Sequence, residues 1–149
     1  MPDRKTLKRA AEDKREGKAP STQAGEFVRE EMEHVREGKH GARSAKQAIA
    51  IGLSKARRAG VALEPPAEGQ ASAQTRRSAK LANAAAARKS GTISSRRSRA
   101  ASNALKREGG SAASPVALSR HAKAVAKKRG PAARSAAARK AARTRSGKG

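Results

Sequence analysis

Residues 20–63 read PSTQAGEFVREEMEHVREGKHGARSAKQAIAIGLSKARRAGVAL, and this stretch decides the fold. After Pro20, the Ser21-Thr22 pair offers an N-cap for a helix that runs to Glu37 and stops at Gly38. At about 100° per residue, Ala24, Phe27, Val28, Met32 and Val35 fall in one arc, with Glu26, Glu30, Glu33 and Glu37 opposite. That acidic line reads as a solvated stripe or as an internal dock for the basic tail. Glu31 falls inside the apolar arc and is expected at its edge, beside a basic residue. After the basic turn Lys39-His40-Gly41-Ala42-Arg43, Ser44-Ala45-Lys46-Gln47 has the S-x-x-Q form of a capping box. The helix that follows places Ala45, Ala48, Ile49, Gly52, Leu53, Ala56 and Ala59 on one face, and Gly60-Val61 supplies a Schellman ending. Apposing Phe27, Val28, Met32 and Val35 with Ile49 and Leu53 makes a helical hairpin over residues 20–64.

Outward from the hairpin the chain is simpler. Residues 1–19 read as a short charged helix over Asp3 to Glu16 with Gly17 as its stop, and residues 65–74, opened by Pro65-Pro66, read as linker. Residues 75–149 form a basic tail of alanine-rich units: Thr75 to Gly91, Thr92 to Gly109, Ser114 to Gly130 and Pro131 to Gly147. Arg76-Arg77-Ser78 with Asn83-Ala84 recurs twenty residues later as Arg96-Arg97-Ser98 with Asn103-Ala104. Ser114-Pro115 suits an N-cap followed by N1.

Charge separates the two halves. From Gln70 onward there are 21 Lys and Arg against one acid, Glu108, which leaves about +20 of the total +24 in the second half. Of the 17 Val, Ile, Leu, Met and Phe residues, only Leu81, Ile93, Leu105, Val116, Leu118 and Val125 lie there. So few large apolar groups among mutually repelling cations predict a tail that is helix-prone but largely disordered when free. The fold class expected is all-α.

An unscreened potential of this size collects polyanions. The expected contacts are Arg76, Arg77, Lys80, Arg88, Lys89, Arg96, Arg97, Arg99, Lys106, Arg107, Arg120, Lys123, Lys127, Lys128, Arg129, Arg134, Arg139, Lys140, Arg143 and Arg145. Phe27 is the only aromatic residue, which speaks against base-stacking platforms and for backbone phosphates. Sequence-nonspecific DNA binding is the first reading, and an RNA-binding or ribosome-associated protein is the alternative. An exposed Phe27, Val28, Met32 and Val35 face would serve self-association or a protein partner. The alanine-rich units lack the apolar face of a membrane-binding helix, so no membrane partner is expected.

Residues 20–63 resemble a small bacterial family of unknown function that couples such a segment to a basic tail. Residues 75–149 are similar in composition to the tails of linker histones and of bacterial histone-like proteins. The resemblance implies a bacterial origin, and no catalytic roles are carried over from it. Because MPDRKTLKRAAEDKREGKAP lacks the apolar run of a secretory signal, a cytoplasmic, nucleoid-associated protein is expected.

The remaining chemistry is excluded on the residues. The chain has no Cys, no phosphate loop of the G-x-x-x-x-G-K-[ST] type and no G-x-S-x-G elbow, so an enzyme is not expected. His34, His40 and His121 are scattered, and although Glu30 and Glu37 share a helical face with His34, neither a metal site nor a cofactor is expected. Ser94-Ser95-Arg96-Arg97-Ser98-Arg99 reads as flexible linker ahead of a phosphorylation switch at Ser94, Ser95 or Ser98.

Overall fold

The computed structural model describes residues 1–88 and 94–147, so Lys89 and Ile93 of the tail lie outside the described residues. All regular structure among the described residues is helical: α1 (Arg4–Arg15), α2 (Pro20–Arg36), α3 (Ala45–Arg58), α4 (Ala73–Ala87), α5 (Ser95–Lys106), a 3-10 turn (Gly110–Ala113) and α6 (Pro115–Arg145). The chain divides into two compact units, Met1–Ser114 and Pro115–Gly149.

The first unit is built around α2, which packs against α1, α3 and the 3-10 turn. Phe27 and Val35 are each 1% exposed, and Phe27 sits in a cluster with Ala10 of α1, Ala24, Ala56 of α3 and Val61, flanked by Leu53 and Leu63. Ala45, Ala48, Gly52 and Ala56 form the buried line of α3, while Ile49 and Leu53 are only half-buried beside it. Small residues at this seam bring the helices close: a Cβ on Gly52 would lie 2.7 Å from Val28 Cα and 3.0 Å from the Phe27 carbonyl oxygen. The arc of Phe27, Met32 and Val35 is therefore consumed inside the unit and offers no exposed docking face.

Local signals set most of the boundaries. Ser44 Oγ accepts from the Gln47 amide at 3.2 Å, and Gln47 Oε1 accepts from the Arg43 amide at 2.7 Å, one residue earlier than a strict capping box requires. At the end of α3 the Val61 amide donates to the Ala56 carbonyl at 3.1 Å and Gly60 to Arg57 at 3.0 Å, with Gly60 at φ 90°, the two bonds of a Schellman motif. The start of α2 differs from expectation. Pro20 is its first residue and Ala19 precedes it without a side-chain cap, because the fixed φ of proline suits N1 and its missing amide costs nothing there.

The expectation of a largely disordered tail is overturned, as is the reading of residues 95–99 as linker: α4, α5 and α6 are formed. α4 lies on α3 through Ala79 and Ala82, 6% and 4% exposed. Ser72 Oγ caps it by accepting from the Thr75 amide at 3.2 Å, and Asn83 Nδ2 donates to the Leu63 carbonyl at 3.0 Å. Behind α5, the Gly41 amide donates to the Leu105 carbonyl at 2.9 Å and Ala42 to Gly109 at 3.1 Å. Ala112 and Ala113 of the 3-10 turn are buried, and Arg36 Nε donates to the Ala113 carbonyl at 3.0 Å. Alanine methyls and backbone hydrogen bonds thus perform the docking that large apolar side chains were expected to be needed for.

The second unit is α6, which begins at Pro115 and is interrupted at Gly130 (φ 74°, ψ 168°), just before Pro131. The break is local chemistry: only glycine adopts this φ at little cost, and proline disfavours helix in the residue before it. The two helical stretches, 115–129 and 131–145, coincide with the last two alanine-rich units of the sequence.

The acidic side of α2 is not uniformly solvated. Glu33 and Glu37 are exposed, but Glu30 is 4% and Glu31 1% exposed. Because α2 is covered on several sides, Glu30 meets the N-terminal segment, whose Asp3 amide donates to Glu30 Oε2 at 3.2 Å, and Lys55 of α3, whose Nζ is 3.5 Å from Glu30 Oε1. Glu26 pairs with Arg9 at 3.4 Å.

Candidate nucleic-acid interface

Where alanines turn inward, the bases of the same helices are left outside. On α4, with Ala79 and Ala82 against α3, Arg77 and Lys80 are exposed, as is Arg88 just beyond the helix. Arg76 is half-buried and its Nη2 lies 3.4 Å from Oε1 of the highly exposed Glu68. On α5 Arg96, Arg97, Arg99 and Lys106 are exposed, with Arg107 following. In the second unit Arg120, Lys123, Lys127, Lys128 and Arg129 are exposed before Gly130, and Arg134, Arg139, Lys140, Arg143 and Arg145 after it. Arg120, Lys123 and Lys127 follow the i, i+3, i+7 spacing of one helical strip. Lys89 lies outside the described residues.

The electrostatics are one-sided. Among the described residues from Arg77 to Arg145, no Lys or Arg side chain is paired with a carboxylate; the acid of this region, Glu108, is held by Arg43 at 3.3 Å. None of the helices α4, α5 and α6 has an acidic residue in its first turn, and α5 opens with Arg96 and Arg97 and no side-chain cap. Cations at the positive end of a helix dipole are unfavourable by themselves, and an anion beside them relieves the conflict. Arg57 contrasts with these groups. It is 8% exposed, Nη2 donates to the Glu64 carbonyl at 3.1 Å, and burial pushes its guanidinium pKa down.

No family model, curated protein or solved structure matches this chain. No helix among the described residues is long and apolar enough to cross a membrane.

One constellation was missed from the sequence. Glu31 and His34 of α2, spaced i, i+3, meet His40 from the turn after α2, with one ligand atom of each within 4.8 Å of the others. The Glu31-x-x-His34 spacing on a helix was the available signal. Glu37, singled out beside His34, is instead exposed and paired with Lys39 at 2.9 Å, which lowers its pKa. His121 belongs to the second unit.

Proposed function

We propose that this protein binds DNA without sequence preference, in a nucleoid- or chromatin-associated role, by laying the exposed bases of α4, α5 and α6 on backbone phosphates. The observation that carries this reading is the absence, among the described residues from Arg77 to Arg145, of any carboxylate partner for an exposed Lys or Arg. Such charges are solvated and free to exchange counterions for phosphate. Arginine, the commoner base in this region, holds phosphate in a bidentate fork, whereas lysine acts as a point charge. With Phe27 buried as the only aromatic, base stacking contributes nothing and affinity comes from the backbone.

A salt titration of the full chain on two unrelated duplexes tests this. If about ten bases release counterions, log affinity falls against log salt with a slope near −9, so a fourfold rise in salt costs about five decades. The two duplexes should differ little. A preference on the order of 10³ or more for one of them would mark a sequence reader instead. Tighter binding to an A-form RNA duplex of equal length would move the reading to RNA.

A further inference from the structure

The junction of the N-terminal segment, the second half of α2 and the turn after it gathers Asp3, Glu30, Glu31, His34 and His40, with Lys55 of α3 beside them. We infer that Glu31, His34 and His40 form a site for one divalent transition-metal ion of the zinc class. This site is independent of the DNA-binding reading.

The decisive geometry is at His40. Its Nδ1 lies 3.0 Å from the Gly41 carbonyl oxygen, which can only accept, so Nδ1 carries the proton. In the neutral imidazole Nε2 then presents its lone pair, and it does so 2.7 Å from Oε1 of Glu31. Two lone pairs at that distance repel unless a proton or a metal ion lies between them, and the approach of His40 Nε2 to Glu31 Oε1 lacks the direction of a hydrogen bond, which favours the metal. A metal-bound histidine usually has this arrangement, with the far ring nitrogen fixed by a backbone carbonyl and the near one free to ligate. Glu31 itself is 1% exposed, and although Lys55 Nζ approaches Oε2 at 2.7 Å, neither carboxylate oxygen has a partner with hydrogen-bond direction. A carboxylate so buried, to which the neighbouring Lys55 ammonium makes no directed hydrogen bond, gains from a second cation aimed at Oε1.

The charge balance supports a divalent ion. Asp3, Glu30 and Glu31 face Lys55, which leaves a surplus of two negative charges when both imidazoles are neutral. Lys39, the next cation along the chain, is 2.9 Å from Glu37. His34 Nε2 lies 3.6 Å from Asp3 Oδ2, so Asp3 sits beside the proposed ligands. Two imidazole nitrogens and one carboxylate oxygen suit zinc, cobalt or nickel far better than magnesium or calcium, which take oxygen donors. Ligand atoms around a tetrahedral zinc stand ~3.3 Å apart, so the His40 and Glu31 atoms need to separate by only about half an ångström.

The metal would act as a staple. His40 adjoins Gly41 and Ala42, whose amides hold the Leu105 and Gly109 carbonyls. Fixing His40 to α2 fixes the seat on which the end of α5 rests.

The test uses the full chain, stripped of metal and titrated separately with Zn²⁺ and Co²⁺ in the absence of nucleic acid. One equivalent of Zn²⁺ should bind and raise the melting temperature, and Co²⁺ should give the visible bands of a four- or five-coordinate nitrogen and oxygen site. His34→Gln and His40→Gln should each weaken Zn²⁺ binding at least 10-fold while His121→Gln leaves it unchanged. Both substituted histidines are partly exposed, so circular dichroism should show wild-type helix content. The cobalt spectrum of the unsubstituted chain stands even where a variant fails to fold. Absence of one-equivalent binding, equal affinity in the His34 and His40 variants, or an octahedral aqueous cobalt spectrum overturns the site. So does a ring-nitrogen NMR spectrum showing that a protonated imidazolium of His40 persists in saturating Zn²⁺.

Discussion

At the scale of single residues, two glycines in neighbouring helices have opposite prospects. Gly25 of α2 is exposed and has open space where a Cβ would stand, so Gly25→Ala should stabilise the chain by up to ~1 kcal/mol through helix propensity and a less flexible unfolded state. Gly52 of α3 has the Val28 and Phe27 backbone within 2.7–3.0 Å of that position. Gly52→Ala gains the same propensity but forces α2 and α3 apart, and should cost a net ~1–3 kcal/mol. Urea denaturation of both variants checks the pair; stabilisation by both would show that the seam is not closely packed. The same reasoning ranks the large side chains. Phe27→Ala should cost ~3–5 kcal/mol, and Leu53→Ala clearly less because Leu53 is half-buried. The periodicity of α3 placed Leu53 and Ile49 at the centre of the contact with α2. A helical wheel gives direction but not distance, and it could not reveal that the closest approach runs through Ala48, Gly52 and Ala56.

At the scale of elements, the segment at the end of α5 is seated through a close approach at Gly41. A Cβ at Gly41 would overlap the Glu108 carbonyl group, in the segment whose Leu105 and Gly109 oxygens bind the Gly41 and Ala42 amides. Gly41→Ala should therefore release residues 95–113 while leaving α1, α2 and α3 folded. Hydrogen exchange read by mass spectrometry should show amide protection lost over 95–113 and retained over 20–36; unchanged protection over 95–113 would sink the idea. The limits of the helices were legible, though not that those of the tail are formed: Gly17, Gly38 and Gly60 stand at the ends of α1, α2 and α3, and each alanine-rich unit of the tail, expected to be largely disordered, holds one helical stretch. Their packing was not, because counting Val, Ile, Leu, Met and Phe ignores Ala79, Ala82, Ala112 and Ala113. Each of these alanines is at most 6% exposed, and a buried methyl contributes about 0.8 kcal/mol. Nor could the sequence show that Glu30 is covered, since that requires knowing that α2 is surrounded. The histidine cluster was hidden for a related reason: only the path of the turn after α2 returns His40 to His34.

For the whole molecule, the formal charge divides almost evenly, about +13 on Met1–Ser114 and +11 on Pro115–Gly149. The exposed bases were legible from composition alone, because one acid in the second half could not neutralise them wherever they fell. Their division between a packed unit and α6 was not legible, and it makes the two contributions separable. Met1–Ser114 retains α4 and α5, whose bases share a unit with all twelve acids. Pro115–Gly149 contains no acid at all. Removing Pro115–Gly149 should lower affinity for every duplex alike and reduce the salt slope by about half, from near −9 toward −4 or −5. A finer cut keeps the chain intact. Replacing Arg120, Lys123 and Lys127 together by glutamine removes one strip of α6 and should lessen the slope by about 2 to 3, since each phosphate contact contributes roughly 0.9. Fluorescence anisotropy across a salt series measures both. A triple variant with the wild-type slope would show that this strip does not touch phosphate. A truncated chain with full affinity would assign DNA binding to α4 and α5, whose bases are anchored through α3 and the Gly41 turn to a folded core.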